Sequence, residues 1–266
     1  MKIVVPIKQV PESSNVRMDP ETGTVIRTGV ETVVNPLDLY AIEASLRLRE
    51  RYGGTVTAVS MGPPHASRVL KEAVAMGCDD AVLLSDRKVG GSDTCATSYA
   101  LAQVIKNAGE YDVIIAGERA TDGDTAQVGP GIASWLDIPV VSYVSKIEEI
   151  KDGRILTERL VEEGYQRLST ALPCLLTVVK EIAIPRLPTL KGKIRSMELN
   201  IPVHTAQEAG LDPERVGLAG SPTKVVKINT PKVTRGGRVM TAQDEISLGA
   251  AVNEFIDLIE KKGFLQ

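Results

Sequence analysis

Along residues 1–145, short apolar runs alternate with stretches in which apolar residues recur every three or four positions. The runs at 3–7, 56–60, 81–84, 112–116 and 140–144 are dense in Val, Ile, Leu and Ala, which predicts strands covered on both faces. Three helical patterns lie between them. The first has Asn35 as cap and Pro36 in its first turn, and sets Leu37, Tyr40, Ala41, Ala44 and Leu48 on one face. The second spans 66–76 and stops at Gly77, a residue suited to a helix end. The third opens near Ser92 and continues through Ala100, Leu101 and Val104. Strand, helix, strand in repeated order implies an α/β fold with a parallel sheet and right-handed crossovers.

The pattern changes after residue 145. Asp152-Gly153 separates two strand-like runs, which predicts one β-hairpin, and 172–179 returns as a buried strand. From Lys180 onward the chain reads as irregular, with Pro185, Pro188 and Pro202 among basic residues. Only 241–262 regains periodicity: Leu248, Val252, Phe255 and Ile259 line one side of a helix that Gly263 ends. The expected division is a domain at 1–183 and a long C-terminal arm at 184–266. The apolar side of the arm's helix either covers a partner or folds back on its own domain; pattern alone leaves both open.

Composition narrows the class. The chain has 266 residues, 43% of them hydrophobic but only 3% aromatic, so the core is aliphatic. A formal charge of −3 argues against general nucleic-acid binding. No apolar run approaches the roughly 18 residues a membrane span needs, and no apolar targeting segment precedes the first strand, so a cytoplasmic protein is expected. Cys78, Cys95 and Cys174 form no paired motif, and His65 and His204 lack partners at ligand spacing. No metal site and no Ser/His/Asp or Cys/His set follows, and no residue stands out as an acid or base. Redox chemistry here requires an organic cofactor.

The most unusual stretch follows the strand at 112–116: Gly117, Glu118, Arg119, Ala120, Thr121, Asp122, Gly123, Asp124, Thr125, Ala126, Gln127, Val128, Gly129. In open α/β sheets ligands bind at the carboxyl ends of strands, where helix N-termini offer free N–H groups to anions. Gly117, Gly123, Gly129 and Gly131 are expected to let the backbone approach a phosphate. Asp124 to Gln127 fits a capping box, with the Thr125 and Ala126 amides at the anion and Asp122 on a ribose hydroxyl. Pro130 either kinks that helix or marks a later start at Gly129. A glycine-rich turn that binds nothing is the competing reading. The phosphate-loop motif of nucleotide hydrolases is absent, and Gly129-Pro-Gly131 is an incomplete dinucleotide fingerprint.

Five stretches taken together resemble the beta subunit of electron-transfer flavoproteins: the opening Ile3-Val-Val-Pro-Ile-Lys-Gln-Val-Pro, Asn35-Pro36-Leu37-Asp38, Val59-Ser-Met-Gly-Pro-Pro, Ala75-Met-Gly-Cys-Asp, and Thr121-Asp-Gly-Asp-Thr-Ala-Gln-Val-Gly. The resemblance runs from end to end. It implies a flavodoxin-like or nucleotide-hydrolase-like domain that pairs with an alpha subunit carrying FAD. It also implies an adenine-nucleotide site at Pro6, Ile7, Asn35, Pro36, Leu37, Asp38, Met61 and the run from Gly117 to Gly129. In one branch of the family the nucleotide is AMP. In the bifurcating and nitrogen-fixation branch it is a second FAD, which takes a hydride from NADH and feeds the alpha FAD and a low-potential carrier such as ferredoxin or flavodoxin. Gly123, where the AMP branch has an acidic residue, and Pro130 make this loop look like the FAD branch; AMP stays open. Pro185 to Lys191 resembles the recognition loop whose leucine, here Leu190, docks on an acceptor dehydrogenase or quinone reductase. The Leu187, Pro188 and Lys191 positions depart from that pattern, and a proline-rich surface linker is the other reading.

Overall fold

The computed structural model describes residues 1–12, 31–226 and 239–264; the part of the arm at 227–238 lies outside them. Internal contacts divide the chain into two compact units, Met1–Val226 and Lys227–Gln266.

The first unit begins with β1 (Lys2–Pro6), a small ribbon of β2 (Gln9–Pro11) against β3 (Thr32–Val34), and α1 (Pro36–Tyr52). Next come β4 (Thr55–Met61), α2 (Ser67–Met76), β5 (Asp80–Leu84), α3 (Thr94–Asn107), β6 (Val113–Gly117) and α4 (Val128–Leu136). β7 (Val140–Lys151), β8 (Arg154–Val161) and β9 (Gly164–Ala171) form two successive hairpins before β10 (Cys174–Val178). α5 (Leu190–Glu198), β11 (Val203–His204) and the single turn α6 (Gly217–Gly220) complete it.

Nine strands make one sheet in the order β11-β5-β4-β1-β6-β10-β7-β8-β9. The first seven are parallel and the last two antiparallel. Successive residues of each central strand feed opposite cores. Ile3 and Val5 pack with Ile42, Leu46 and Leu70 of α1 and α2, whereas Val4 packs with Leu101, Ile105 and Ile132 of α3 and α4. Strands buried on both sides favour aliphatic residues on both faces, which is why Ile3–Val5, Val113–Ala116 and Leu175–Leu176 are apolar throughout. From β1 the chain winds outward to β4 and β5, then returns to lay β6 on the other flank of β1. The strand order therefore reverses between β1 and β6, the place where open sheets leave a crevice for ligands.

Three features differ from expectation. β9 is a strand, giving a second hairpin; half-exposed and polar, with Gln166 and Arg167 at its centre, it has no apolar run to betray it. β7 continues past 144 to Lys151 because it leaves β10 and pairs with β8 instead, through register shifts on both sides. Residues 190–198 form a helix, not irregular chain. Thr189 caps it by accepting the Gly192 N–H at 3.0 Å, and Arg195 bonds the Cys78 carbonyl at 3.1 Å. Gly192 lets α5 rest on the last turn of α2, since a Cβ there would overlap the Ala75 carbonyl oxygen.

In the second unit α7 (Glu245–Lys261) is closed by a capping box between Asp244 and Ser247, and none of its residues is buried. No helix among the described residues is long and apolar enough to cross a membrane.

Candidate functional site

The carboxyl ends of β1 and β6 meet the start of α1 in a buried knot of hydrogen bonds. Asn35 stands at the cap position of α1, yet its side chain caps nothing in that helix. Its amide donates to Asp38 Oδ1 and to the Arg119 carbonyl, both at 2.9 Å, and its Oδ1 accepts the Thr121 N–H at 3.2 Å. Asp38 Oδ2 in turn accepts the Lys8 N–H at 2.7 Å. One side chain, 1% exposed, thus ties α1 to the loop after β6, and Asp38 ties α1 to the loop after β1. Burial pushes the Asp38 carboxyl up to about 7; the Lys8 N–H, the Asn35 amide and the Lys8 charge oppose that shift without cancelling it. Gly117 closes the knot from above: a Cβ there would overlap Asp38 Oδ1 and meet the Leu37 carbonyl at 2.9 Å.

The loop from Gly117 to α4 is cross-braced by ion pairs. Lys8 Nζ reaches Asp122 at 2.6 Å, and Arg119 Nε lies between Asp124 at 3.1 Å and Glu118 at 3.5 Å. Asp124 and Ala126 hold left-handed backbones, with φ of 53° and 55°. That conformation costs an L-residue roughly 1–2 kcal/mol, so the loop stores strain where the sheet leaves its crevice.

The capping box expected from Asp124 to Gln127 does not form. Asp124 is spent on Arg119, and α4 opens at Val128 with Gln127 at the cap position. Gln127 gives the helix no side-chain cap because its Oε1 accepts the Thr94 hydroxyl at 2.9 Å. The first helical bond is Gly131 N–H to the Gln127 carbonyl, 2.9 Å. Pro130 sits in the first turn, where its missing N–H costs nothing, so it neither kinks α4 nor delays its start. The Val128 and Gly129 amides precede that first bond and point along the axis toward the loop, the position at which helices attract anions.

The glycines serve closeness of packing more than ligand approach. A Cβ on Gly129 would come within 2.6 Å of the Thr177 methyl on β10, and one on Gly131 within 2.6 Å of Ser98 Oγ on α3. Only Gly123 faces open space, with nothing within 4 Å.

All but one of the residues singled out by sequence therefore converge. Pro6 and Ile7 end β1, Asn35, Pro36, Leu37 and Asp38 start α1, Met61 ends β4, and Gly117 to Gly129 bridge β6 and α4. Leu190 stands apart. It begins α5, which packs near Ala75, Cys78 and Asp79 at the opposite, amino-terminal edge of the sheet, and it is 78% exposed. Sequence reasoning passed over Lys8, Thr94, Thr177 and Tyr143. Tyr143 has φ 62° and donates its backbone N–H to Thr177 Oγ1 at 3.1 Å, on the residue that Gly129 abuts. Nothing in sequence marks that bulge; Lys8 was visible in the opening motif.

Lys8 and Arg119, the cations at this loop, are tied to its own carboxylates. Among the described residues no group of three His, Cys, Asp or Glu is placed to hold a metal ion.

The fold defines a doubly wound α/β domain whose strand order reverses between β1 and β6. The electron transfer flavoprotein domain model matches residues 22–207. The chain is 47% identical over 242 residues to the electron transfer flavoprotein subunit beta of Thermoanaerobacterium thermosaccharolyticum, covering 91% of this chain and 92% of that one. It is 45% identical over 255 residues to the caffeyl-CoA reductase-Etf complex subunit CarD of Acetobacterium woodii, covering 96% and 94%. It is 46% identical over 238 residues to protein FixA of Azotobacter vinelandii, covering 87% and 85%. The chain belongs to the electron transfer flavoprotein family, among the beta subunits that include CarD and FixA.

Proposed function

We propose that this beta subunit binds FAD at the β1–β6 edge and pairs with an alpha subunit that carries a second FAD. In this reading it accepts a hydride from NADH and divides the electrons between the alpha FAD and a low-potential carrier such as ferredoxin or flavodoxin. What supports the site is the start of α4 at Val128, directly after the loop that leaves β6, beside the Asn35 and Asp38 hydrogen bonds that tie that loop and the loop after β1 to α1. Bound there, FAD supplies hydride acceptance and one-electron release, which no side chain here offers. The chain's own residues would orient and enclose it: the start of α4 would hold the pyrophosphate, Asp122, now paired with Lys8, would take a ribose hydroxyl, and the buried Asp38, its carboxyl pushed up to about 7, would add little negative charge to the site.

Partner contacts belong to the same reading. The exposed Leu248, Val252 and Phe255 of α7 cover a face of the alpha subunit, and Leu190 docks on an acceptor dehydrogenase or quinone reductase. A cytoplasmic location accords with such partners. The apolar face of α7 speaks against a stand-alone nucleotide-binding regulator, which has no use for it.

Flavin stoichiometry of the co-expressed heterodimer tests the proposal. Two flavins per dimer are expected; one flavin and one AMP would assign the non-bifurcating role, and a colourless chain with no partner would remove both.

A further inference from the structure

Between β10 and α5 the chain displays Ile184 and Leu187, each 84% exposed, and then Leu190. Apolar residues on a segment without regular structure ordinarily collapse onto the nearest core. Here one side chain prevents it. Arg186 lies between Ile184 and Leu187 and turns inward, where its guanidinium grips two carboxylates on one face of α1. Nε donates to Glu43 Oε2 at 2.7 Å, one terminal nitrogen to Glu50 Oε1 at 2.5 Å, and the other to Glu43 Oε1 at 3.2 Å and Glu50 Oε2 at 3.1 Å. The backbone N–H of Arg186 adds a fifth bond, 3.1 Å, to Glu43 Oε2. Glu43 is 2% exposed and also accepts Arg47 Nε at 2.7 Å.

A partly buried ion pair of this kind is weak evidence for stability, because desolvation of Glu43 offsets its attraction. Its distinctive product is geometry. The two-pronged grip fixes the direction of the guanidinium, and the extra bond from the Arg186 amide fixes the backbone at the same residue. Pro185 and Pro188 restrict the dihedrals on either side. With Arg186 pinned against α1, its neighbour Leu187 stays 84% exposed and α5 starts three residues after that.

We propose that Arg186 and Glu43 are a positioning pair that holds the Pro185–Pro188 segment against α1 and so presents Leu187 and Leu190 to the acceptor. This rests on the docking reading above and adds to it the residues that set the geometry. Neither residue lies at the nucleotide edge of the sheet, and α1 places Glu43 beyond the Asn35–Asp38 knot.

The test uses the co-expressed heterodimer carrying Arg186→Gln, Glu43→Gln or Leu190→Ala. An acceptor dehydrogenase that the unaltered heterodimer reduces is the docking probe, and ferricenium is the acceptor that needs no docking. Both clamp variants should raise amide exchange across 183–190 by about tenfold. They should raise KM for the dehydrogenase about fivefold with kcat little changed, leaving ferricenium reduction and nucleotide content as they were. Arg186→Lys, which keeps charge but not the fork, should fall between. If Leu190→Ala weakens docking and the clamp variants do not, the positioning pair is wrong and the docking reading stands. If none of the three changes KM, the docking reading fails and the proposal with it. Should Arg186→Gln fold poorly, the exposed partner offers Glu50→Gln as a milder break, expected to shift exchange and KM in the same direction; no shift in either overturns the proposal.

Discussion

Two helices of equal length solve the problem of staying helical in opposite ways. α1 and α7 each span 17 residues. α1 begins without any side-chain cap and buries eight residues; tertiary packing holds it, and its cap residue is free to bond Asp38 and the loop after β6. α7 has a complete capping box and buries none. Local chemistry closes α7, whose Leu248, Val252 and Phe255 stay exposed. A helix that keeps its shape by its own ends is suited to carrying a surface to a partner. A helix held by a core is suited to placing a site.

The sharpest break of this comparison is a matched pair of truncations in the heterodimer. Ile42→Ala, in the core of α1, should cost the chain about 2–5 kcal/mol in chemical denaturation. Phe255→Ala, at 59% exposure, should leave the folding of the chain within about 0.5 kcal/mol yet weaken association with the alpha subunit by more than about tenfold. Equal effects on folding would erase the distinction.

A pH titration examines the knot under α1. Asp38 ordinarily loses its proton near 3.8, but in the fold near 7. Between those values the folded chain holds the proton that the unfolded chain has released. The contribution of Asp38 to stability therefore falls as pH rises from about 4 to about 7, by on the order of 4 kcal/mol, and is level above that. Urea unfolding across the pH series should show this fall in the parent protein and lack it in Asp38→Asn. An identical slope in both would place the titration elsewhere.

Smaller effects separate packing glycines from open ones. Gly117→Ala forces a methyl into Asp38 and the Leu37 carbonyl and should cost about 1–3 kcal/mol, with loss of bound nucleotide. Gly123→Ala meets open space and should stay within about 0.5 kcal/mol. Nucleotide retained by the first and lost by the second would reverse the assignment. Away from the knot, Leu190→Ala should slow electron delivery to a subsaturating acceptor by about tenfold without changing flavin content. Unimpaired transfer would return this segment to the status of a connector.

How much of this was legible depends on the range over which each feature is encoded. The five strands at 3–7 through 140–144 and the three helices between them were visible because burial on both faces and helical spacing are written in adjacent residues. The site segments were visible as motifs, and the parallel topology brings their ends to one edge. α5 was not, because nine residues with one buried Ser196 carry no core-facing period; its cap at Thr189 and Gly192 against α2 were the only clues. β9 hid for the same reason.

By itself, then, the amino-acid order determined the α/β alternation, the aliphatic core, the crevice segments and the family resemblance, all of them patterns of neighbouring residues or fixed spacings. Only the tertiary structure decided what the side chains do there. Asn35 reads as a helix cap, yet it spends its amide on an acceptor 84 residues away. Asp124 reads as a cap and pairs with Arg119, and the cap position of α4 falls three residues later, at Gln127. Arg186 reads as one charge in a proline-rich linker and grips Glu43 across 143 residues. A hydrogen bond goes to whichever partner folding brings within about 3 Å, and that choice is settled by topology.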